Sequence, residues 1–252
     1  MNKWLTLLVF FFVGVIISNV KAQDFRIVTE NFPPYNYKTD DSIKGFSTGI
    51  VKTILDMLKL KPKNGIEVMP WVRTFQTARR EKNVLIYSMG RNPKRENLFH
   101  WIGPIAPSKY FLFSLKQNKN IKINNLADAK KYRIGTVRED VREQYLLSQG
   151  FTKGKNIFPT STYFSSFLKL KAKRIDLWAM NEMVAFHLLK EKGIDPNKVL
   201  KRSFYFDALS KKGLYMAFNK QSSPELVKKF QGAFLKMKEN GKFDELRNAF
   251  FK

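Results

Sequence analysis

The chain has 252 residues, carries 46 lysines and arginines against 21 acidic residues, and contains no cysteine and only two histidines. The absence of cysteine excludes disulfides and thiol catalysis, and the scarcity of histidine argues against a His-rich metal centre. We therefore expect neither a metal nor a cofactor. The length allows one large domain or two small ones.

The first 22 residues predict a cleaved export signal. Lys3 gives a positive start, residues 4–17 form a nearly unbroken apolar run, and the sequence ending at Ala22 suits a signal peptidase. An uncleaved membrane anchor is the alternative, but the run is shorter than the ~20 residues that a spanning helix needs. We expect a soluble protein of the bacterial periplasm.

The formal net charge of +25 is spread along the chain rather than gathered in one arm. Nucleic-acid binders concentrate positive charge on one face, so with export we expect no nucleic-acid partner. The charge favours attraction of anionic solutes or weak contact with an anionic membrane surface. A solvated surface without any partner is the equal alternative.

Strand and helix patterns alternate along the first half of the chain. The run at 25–29 predicts a strand, the proline-containing segment 31–37 a loop, and the apolar stripe at 48–60 a helix with Ser47 as its N-cap. The next predicted elements are a strand at 66–69, a helix at 73–80, and strands at 84–87 and 110–115.

The alternation continues in the second half. Its predicted strands lie at 133–136, 157–158, 175–179 and 214–218, and its predicted helices at 141–149, 165–173, 182–192, 226–237 and 243–250. This order is typical of α/β proteins with a parallel or mixed sheet flanked by helices. Two such units in tandem predict two lobes with a ligand cleft between them, near the carboxyl ends of strands.

Residues 84–105 are the most informative stretch. A buried strand is followed by Ser88, Gly90 and Arg91, then by Arg95, and Gly103-Pro104 is expected to break the chain again. A guanidinium on a turn after a buried strand can bind a carboxylate through two parallel hydrogen bonds, so Arg95 is the leading ligand contact. Arg91 is a second anion contact or a solvated side chain, and Ser88 and Gly90 are ligand contacts or a structural turn.

Other candidate ligand contacts follow predicted strands, and each has a structural alternative. Aromatic and basic side chains suit a cleft wall, a helix start suits an anion, and a carboxylate suits an ammonium group. The alternatives are lobe-surface packing, helix capping and first-turn acids. These candidates are Tyr35, Trp71, Arg73, Thr136, Arg138, Asn181 and Glu182.

Catalytic signatures are missing from the sequence. It contains no Gly-x-Ser-x-Gly elbow, no His-Glu-x-x-His motif and no Walker loop. Glu139, Asp140 and Glu182 could pair as acid and base, but their spacing does not require it, and Asp140 also suits a helix cap.

These motifs resemble the bacterial extracellular solute-binding proteins of family 3, the amino-acid-binding group that serves ABC importers. The resemblance covers nearly the whole mature chain and looks closest to a less characterised proteobacterial subgroup. The residues that carry it are Pro33-Pro34-Tyr35, Gly45, Gly49, Asn92-Pro93-Lys94-Arg95, Trp101, Pro104, Arg174-Ile175-Asp176, the 214–220 segment and Asn240-Gly241.

The resemblance implies a type II periplasmic-binding fold in which two lobes, joined by two hinge strands, close on a solute. We expect lobe 1 at 23–109 plus 212–252, lobe 2 at 110–211, and a monomer that delivers its solute to an ABC permease. Carried over, Arg95 would bind an α-carboxylate, while the family's amine-binding aspartate falls at Asn181. The expected solute is a small, polar, carboxylate-bearing anion or zwitterion, an amino acid or a relative.

Because Asn181 carries no charge, either Glu182 or another acid replaces the aspartate or the solute lacks an ammonium group. Arg73, Arg91 and Arg138 favour a more acidic solute.

Two other functions stay open on the same fold. The chain also resembles exported cyclohexadienyl dehydratases, in which case Glu182 or Glu139 would be the catalytic carboxyl. Alternatively, it is an envelope module that senses a ligand and signals to a separate membrane protein.

Overall fold

The computed structural model describes residues 24–251, so the predicted export signal lies outside the described residues. The strands are β1 (Arg26–Thr29), β2 (Tyr37–Lys38), β3 (Ile43–Lys44), β4 (Ile66–Val68), β5 (Val84–Gly90), β6 (Phe99–Ala106), β7 (Tyr110–Leu115), β8 (Ile134–Val137), β9 (Ile157–Thr160), β10 (Leu177–Asn181), β11 (Leu200–Tyr205) and β12 (Leu214–Asn219). The helices are α1 (Phe46–Leu58), α2 (Trp71–Arg80), α3 (Val141–Ser148), α4 (Tyr163–Lys171), α5 (Glu182–Lys190), α6 (Pro196–Val199), α7 (Asp207–Ser210), α8 (Pro224–Glu239) and α9 (Lys242–Phe250).

Two five-stranded mixed sheets organise the described residues. The first has the order β4-β1-β5-β12-β6, in which β1 is parallel to both neighbours and β12 is antiparallel to both of its own. The second has the order β11-β7-β10-β8-β9, with β8 parallel to β9 and β10 and with β7 antiparallel to β10 and β11. The predicted mixed α/β architecture is confirmed.

Each sheet is covered by its own helices. α1, α2 and α8 pack with the first sheet, α9 packs on α1 and α8, and we call this assembly the first unit. α3 to α7 pack with the second sheet and form the second unit. The chain passes from the first sheet to the second between Ala106 and Tyr110 and returns between Tyr205 and Leu214.

The start of α1 corrects the predicted N-cap at Ser47. The helix begins at Phe46 and its N-cap is Gly45, whose φ of 114° is the left-handed side of the map that favours glycine. A Cβ on Gly45 would lie 2.4 Å from the carbonyl oxygen of Tyr35. The Ser47 N–H donates to that same oxygen at 2.9 Å. Loop carbonyls therefore cap this helix in place of a side chain.

Strand β6 corrects the predicted chain break at Gly103-Pro104. The strand runs through both residues because it lies at the edge of the first sheet, where a proline without an N–H is tolerated. Between β5 and β6, a short 3₁₀ helix at Pro93–Leu98 carries Arg95, with the Asn92 side chain accepting from the Arg95 N–H at 3.0 Å.

Candidate functional site

A cavity of about 500 Å³ lies between the two units. Glu30 follows β1 and residues 69–71 follow β4, while Val137 ends β8 and residues 161–164 follow β9. The cavity therefore lies at the carboxyl ends of parallel strands from both sheets, where open α/β folds bind ligands. Its remaining lining residues are Asn31, Lys38, Val68 and Leu188.

Glu30 is the buried acid of this cavity. Its side chain belongs to a residue only 6% exposed, and Tyr163 of the second unit donates its hydroxyl to both carboxylate oxygens at 2.8 Å. Burial and, to a smaller extent, the nearby Asp140 raise the pKa of Glu30, and Tyr163, Arg142 and Arg95 lower it, which leaves a pKa of about 8. The Tyr163–Glu30 bond connects the two units across the cleft.

Arg142 lies deeper between the units, 1% exposed at the start of α3. Its Nε donates to Asp140 Oδ1 at 2.6 Å, its Nη2 pairs with the other oxygen of Asp140, and its Nη1 lies 2.9 Å from Met180 Sδ. Its guanidinium carbon is 5.0 Å from the ring centre of Tyr163 and 5.5 Å from that of Tyr110. Burial acts to lower the pKa of Arg142, but Asp140 outweighs it and raises the pKa above its ordinary value.

Arg95 of the first unit donates hydrogen bonds to Gln144 and Glu139 of the second unit. It is 1% exposed, and its Nε donates to Gln144 Oε1, its Nη2 to the Glu139 carbonyl and its Nη1 to the Gly90 carbonyl, each at 2.9 Å. Its guanidinium carbon lies 5.0 Å from the centre of the Trp71 ring. Burial lowers the pKa of Arg95 to about 10, so the side chain is charged at neutral pH.

Three of the predicted ligand contacts, Trp71, Ser88 and Thr136, each have a buried polar side-chain atom that makes no hydrogen bond within residues 24–251. Among residues 24–251, no group accepts from Trp71 Nε1, and neither the Ser88 nor the Thr136 hydroxyl has a hydrogen-bond partner. Ser88 lies in β5 with a φ of 59°, and Thr136 lies in β8. Buried polar groups are nearly always hydrogen-bonded in folded proteins, so these three atoms are candidates for contact with water or with a solute. Trp71 lines the cavity itself.

Gly90 leaves little space between the units. A Cβ at this position would lie 2.9 Å from Val141 Cγ1 at the start of α3. The predicted contact region around Gly90 is therefore closely packed against the second unit.

Other predicted residues have protein partners or face solvent. Tyr35 is buried and donates to the Pro107 carbonyl at 2.9 Å, and Arg91 pairs with Glu96. Asn181 caps α5 and donates to Ser108 Oγ at 2.8 Å.

Three more of the predicted residues lie apart from the cavity lining. Arg73 and Arg138 are exposed, and Glu182 pairs with Arg202. A ligand role for them, as for the whole predicted set, stays a prediction.

Sequence reasoning missed Glu30, Tyr163, Arg142 and Gln144. Glu30 carried a usable signal, since it is an acid placed directly after the first strand. The others lie at helix starts: Tyr163 and Gln144 contact residues 133 and 49 positions earlier, whereas Arg142 pairs with the nearby Asp140.

Two further features bear on function. Within the described part of the chain, acidic and histidine side chains nowhere form a group suited to a metal ion. No helix between residues 24 and 251 combines the length and apolar character that crossing a bilayer requires.

Comparison with known proteins places the fold. The model of the bacterial extracellular solute-binding proteins, family 3, matches residues 25–252. A probable histidine-binding protein of Campylobacter jejuni is 26% identical over 270 residues, covering 98% of this chain and 97% of that protein. The arginine-binding extracellular protein ArtP of Bacillus subtilis is 24% identical over 275 residues, covering 100% of this chain and 98% of its own.

A solved structure gives the same result. An ancestral arginine-binding protein bound to arginine superposes with a TM-score of 0.75 at 21% identity, covering 92% of this chain and 100% of that one. The predicted type II periplasmic-binding fold is confirmed by this likeness. The chain belongs to the bacterial extracellular solute-binding proteins, family 3.

Proposed function

We propose that the protein binds a small cationic amino acid, or a close relative, in the cavity between its two units. The observation that carries this proposal is the buried carboxyl of Glu30 in a cavity wall that both units build. A cavity shared between two units favours hinge closure, because a solute that contacts both stabilises the closed arrangement by its differential affinity.

The cavity chemistry supports a cationic group on the solute. Glu30 and Lys38 are the charged side chains in its lining, and Glu30 is the buried one. Trp71, Tyr163 and Phe164 add aromatic faces, which attract organic cations. The two curated relatives are named for histidine and arginine, both amino acids whose side chains can carry positive charge.

A carboxylate on the solute is the second part of the proposal. Arg95, the predicted carboxylate contact, is 1% exposed and is not in the cavity lining, and three of its N–H groups donate to Gln144, Glu139 and Gly90. The indole N–H of Trp71, which borders both Arg95 and the cavity, has no acceptor among residues 24–251. This indole N–H supports binding of an α-carboxylate of the solute beside Trp71.

The biological setting follows from the family. We propose export to the periplasm, lobes at 23–109 plus 212–252 and at 110–211, and delivery of the solute by a monomer to an ABC permease. Weak contact with an anionic membrane surface stays part of this proposal, given the net charge of +25. A sensing role would use the same cavity and differ only in the partner that reads the closed state.

The observation that favours the enzymatic alternative is one of fold: an ancestral amino acid-binding protein that is a precursor of cyclohexadienyl dehydratase superposes with a TM-score of 0.69 at 19% identity. The candidate carboxyls of this alternative are engaged elsewhere: Glu182 pairs with Arg202, and Glu139 accepts from Gln76 Nε2 at 2.7 Å. Incubating the purified protein with prephenate or arogenate tests this alternative, since turnover of either would replace binding as the function.

Isothermal titration with matched amino acids tests the proposal. Arginine and citrulline differ in the charge of the side chain, and arginine and agmatine differ in the carboxylate. We expect arginine to bind more tightly than either analogue, and Glu30→Gln to remove the preference over citrulline. Glu225→Gln, an exposed acid on α8, is the control and should bind as the wild type does. Equal binding of arginine and citrulline to the wild type would overturn the assignment of Glu30.

A further inference from the structure

We call the buried region around Arg142, between the two units, the inner cleft. The groups around this arginine are those that a bound guanidinium solute would also require. Asp140 presents both carboxylate oxygens to Arg142, and Met180 Sδ faces the remaining terminal nitrogen at 2.9 Å. The two carboxylate oxygens match the paired N–H groups of a planar guanidinium, whereas a compact ammonium group has no such pair.

Aromatic rings complete these surroundings from both units. Tyr110 and Tyr163 of the second unit lie 5.5 and 5.0 Å from the Arg142 guanidinium carbon, and Phe32 of the first unit lies 5.9 Å from it. Stacking on aromatic faces is a further preference of guanidinium over ammonium. The five residues therefore form a guanidinium receptor that spans the cleft, defined by Phe32, Tyr110, Asp140, Tyr163 and Met180.

This receptor is linked to the contact between the units. Tyr163 stacks on Arg142 with its ring and donates its hydroxyl to Glu30 of the first unit. Phe32 and Tyr163 also contact each other, with ring centres 5.4 Å apart. Removing the Arg142 guanidinium would leave the rings of Tyr163 and Phe32 without the cation that lies over both of them.

We infer that Arg142 is a tethered occupant of the interlobe cleft, filling a guanidinium receptor and holding the two units closed without a solute. The solute site is then the outer cavity beside Glu30, and closure does not wait for a solute. The inference uses no property of the solute, so it stands or fails separately from the proposed function.

Distance measurement between spin labels tests the closure. The chain has no cysteine, so Lys171→Cys on α4 and Lys228→Cys on α8 give one label on each unit. We expect one short distance in the otherwise unchanged protein without solute, and a second, longer distance in D140N/R142M. This double variant removes both charges, keeps the volume near that of the pair, and retains an N-cap residue at 140.

Arg133→Met is the matched control, because it removes an arginine from an ion pair with Asp176 on the exposed side of the second unit. Its label distance should equal that of the parent. An unchanged distance in D140N/R142M, or the same lengthening in R133M, would overturn the inference.

Chemical rescue tests the receptor itself. In R142A, millimolar methylguanidine should restore the short distance and raise the melting temperature, while methylammonium should do neither. The melting temperature also reports rescue if R142A is only partly folded without the additive. Rescue by both cations alike, or by neither, would show that the surroundings of Arg142 are not selective for a guanidinium.

Discussion

The inner cleft and the outer cavity differ in how their polar groups are satisfied. In the inner cleft, Arg142 is bound by Asp140 and Met180, and Arg95 by Gln144 and two backbone carbonyls. In the outer cavity, Glu30 has a single tyrosine donor, and the Trp71 N–H has no acceptor among the described residues. Glu30 and Trp71 are buried as the two arginines are, so the contrast between these side chains is one of pairing rather than of exposure.

This difference distinguishes side chains that hold the two units together from side chains that recognise a solute. A buried charge that the protein itself pairs stabilises one arrangement of the two units, and its loss is costly. A buried polar group that the protein leaves unpaired is a site where a solute gains more than water would offer. Substitutions in the inner cleft should therefore change stability first, and those in the outer cavity should change affinity first.

Asp140→Ala should produce the largest effect. It leaves the guanidinium of Arg142 buried without its carboxylate and removes the N-cap of α3, so we expect the free energy of unfolding to fall by about 3–5 kcal/mol. Asp176→Ala breaks the partly exposed pair with Arg133 and should cost less than about 1 kcal/mol. Urea denaturation measures both, and equal losses would remove the distinction between a buried and a surface pair.

The sequence predicts the framework of this comparison better than its details. Alternating strands and helices predict the mixed α/β architecture, which is confirmed, because these periodicities are local. The predicted break at Gly103-Pro104 was wrong because whether a proline can lie in a strand depends on the strand's place in the sheet, which is a long-range property.

The burial of the two arginines is beyond local reasoning as well. Arg95 and Arg142 are two among 46 basic residues, and neither the strand before Arg95 nor the nearby Asp140 beside Arg142 predicts that the side chain is buried. Their burial depends on Gln144 for one and on Phe32 and Tyr110 for the other, all distant in the chain. The type of residue that follows a strand thus identifies a candidate ligand contact, whereas the groups that surround it in the folded protein determine its role.

The pH dependence of binding tests the role of Glu30 in the outer cavity. A cationic solute binds the ionised form of Glu30, whose pKa is about 8 in the unliganded protein. Affinity for arginine should therefore rise by up to about tenfold per pH unit from pH 6 toward 8 and then level off. Glu30→Gln should bind weakly at every pH. A flat profile in the wild type would show that Glu30 does not face the cation.

The stability of the unliganded protein should fall with rising pH, whereas its affinity for arginine should rise. Because the folded-state pKa of Glu30 lies above its ordinary value of 4.5, the folded protein holds more protons than the unfolded chain between pH 4.5 and 8. The contribution of Glu30 to stability is therefore fully present below pH 4.5 and is lost as the pH rises through about 8. Denaturation of the unliganded protein at pH 6 and 8, with Glu30→Gln as reference, measures this loss.

Trp71→Phe tests the cavity at the level of one hydrogen bond. The change keeps an aromatic ring beneath Arg95 but removes the indole N–H that has no acceptor within residues 24–251. If a solute oxygen accepts from this N–H, the dissociation constant should rise about fivefold, corresponding to about 1 kcal/mol, while the free energy of unfolding stays unchanged or increases. Isothermal titration and urea denaturation measure the two quantities on the same sample.

Trp101→Phe provides the matched control, because Trp101 Nε1 donates to the Glu96 carbonyl at 3.2 Å. Here the protein itself supplies the acceptor, so the loss should fall on unfolding, by about 1 kcal/mol, and leave the dissociation constant unchanged. The two tryptophans thus repeat the contrast between paired and unpaired groups with one kind of atom. A Trp71 variant that loses stability and keeps its affinity would place that indole with the residues that hold the fold, and the acceptor for its N–H would then have to be sought in the protein.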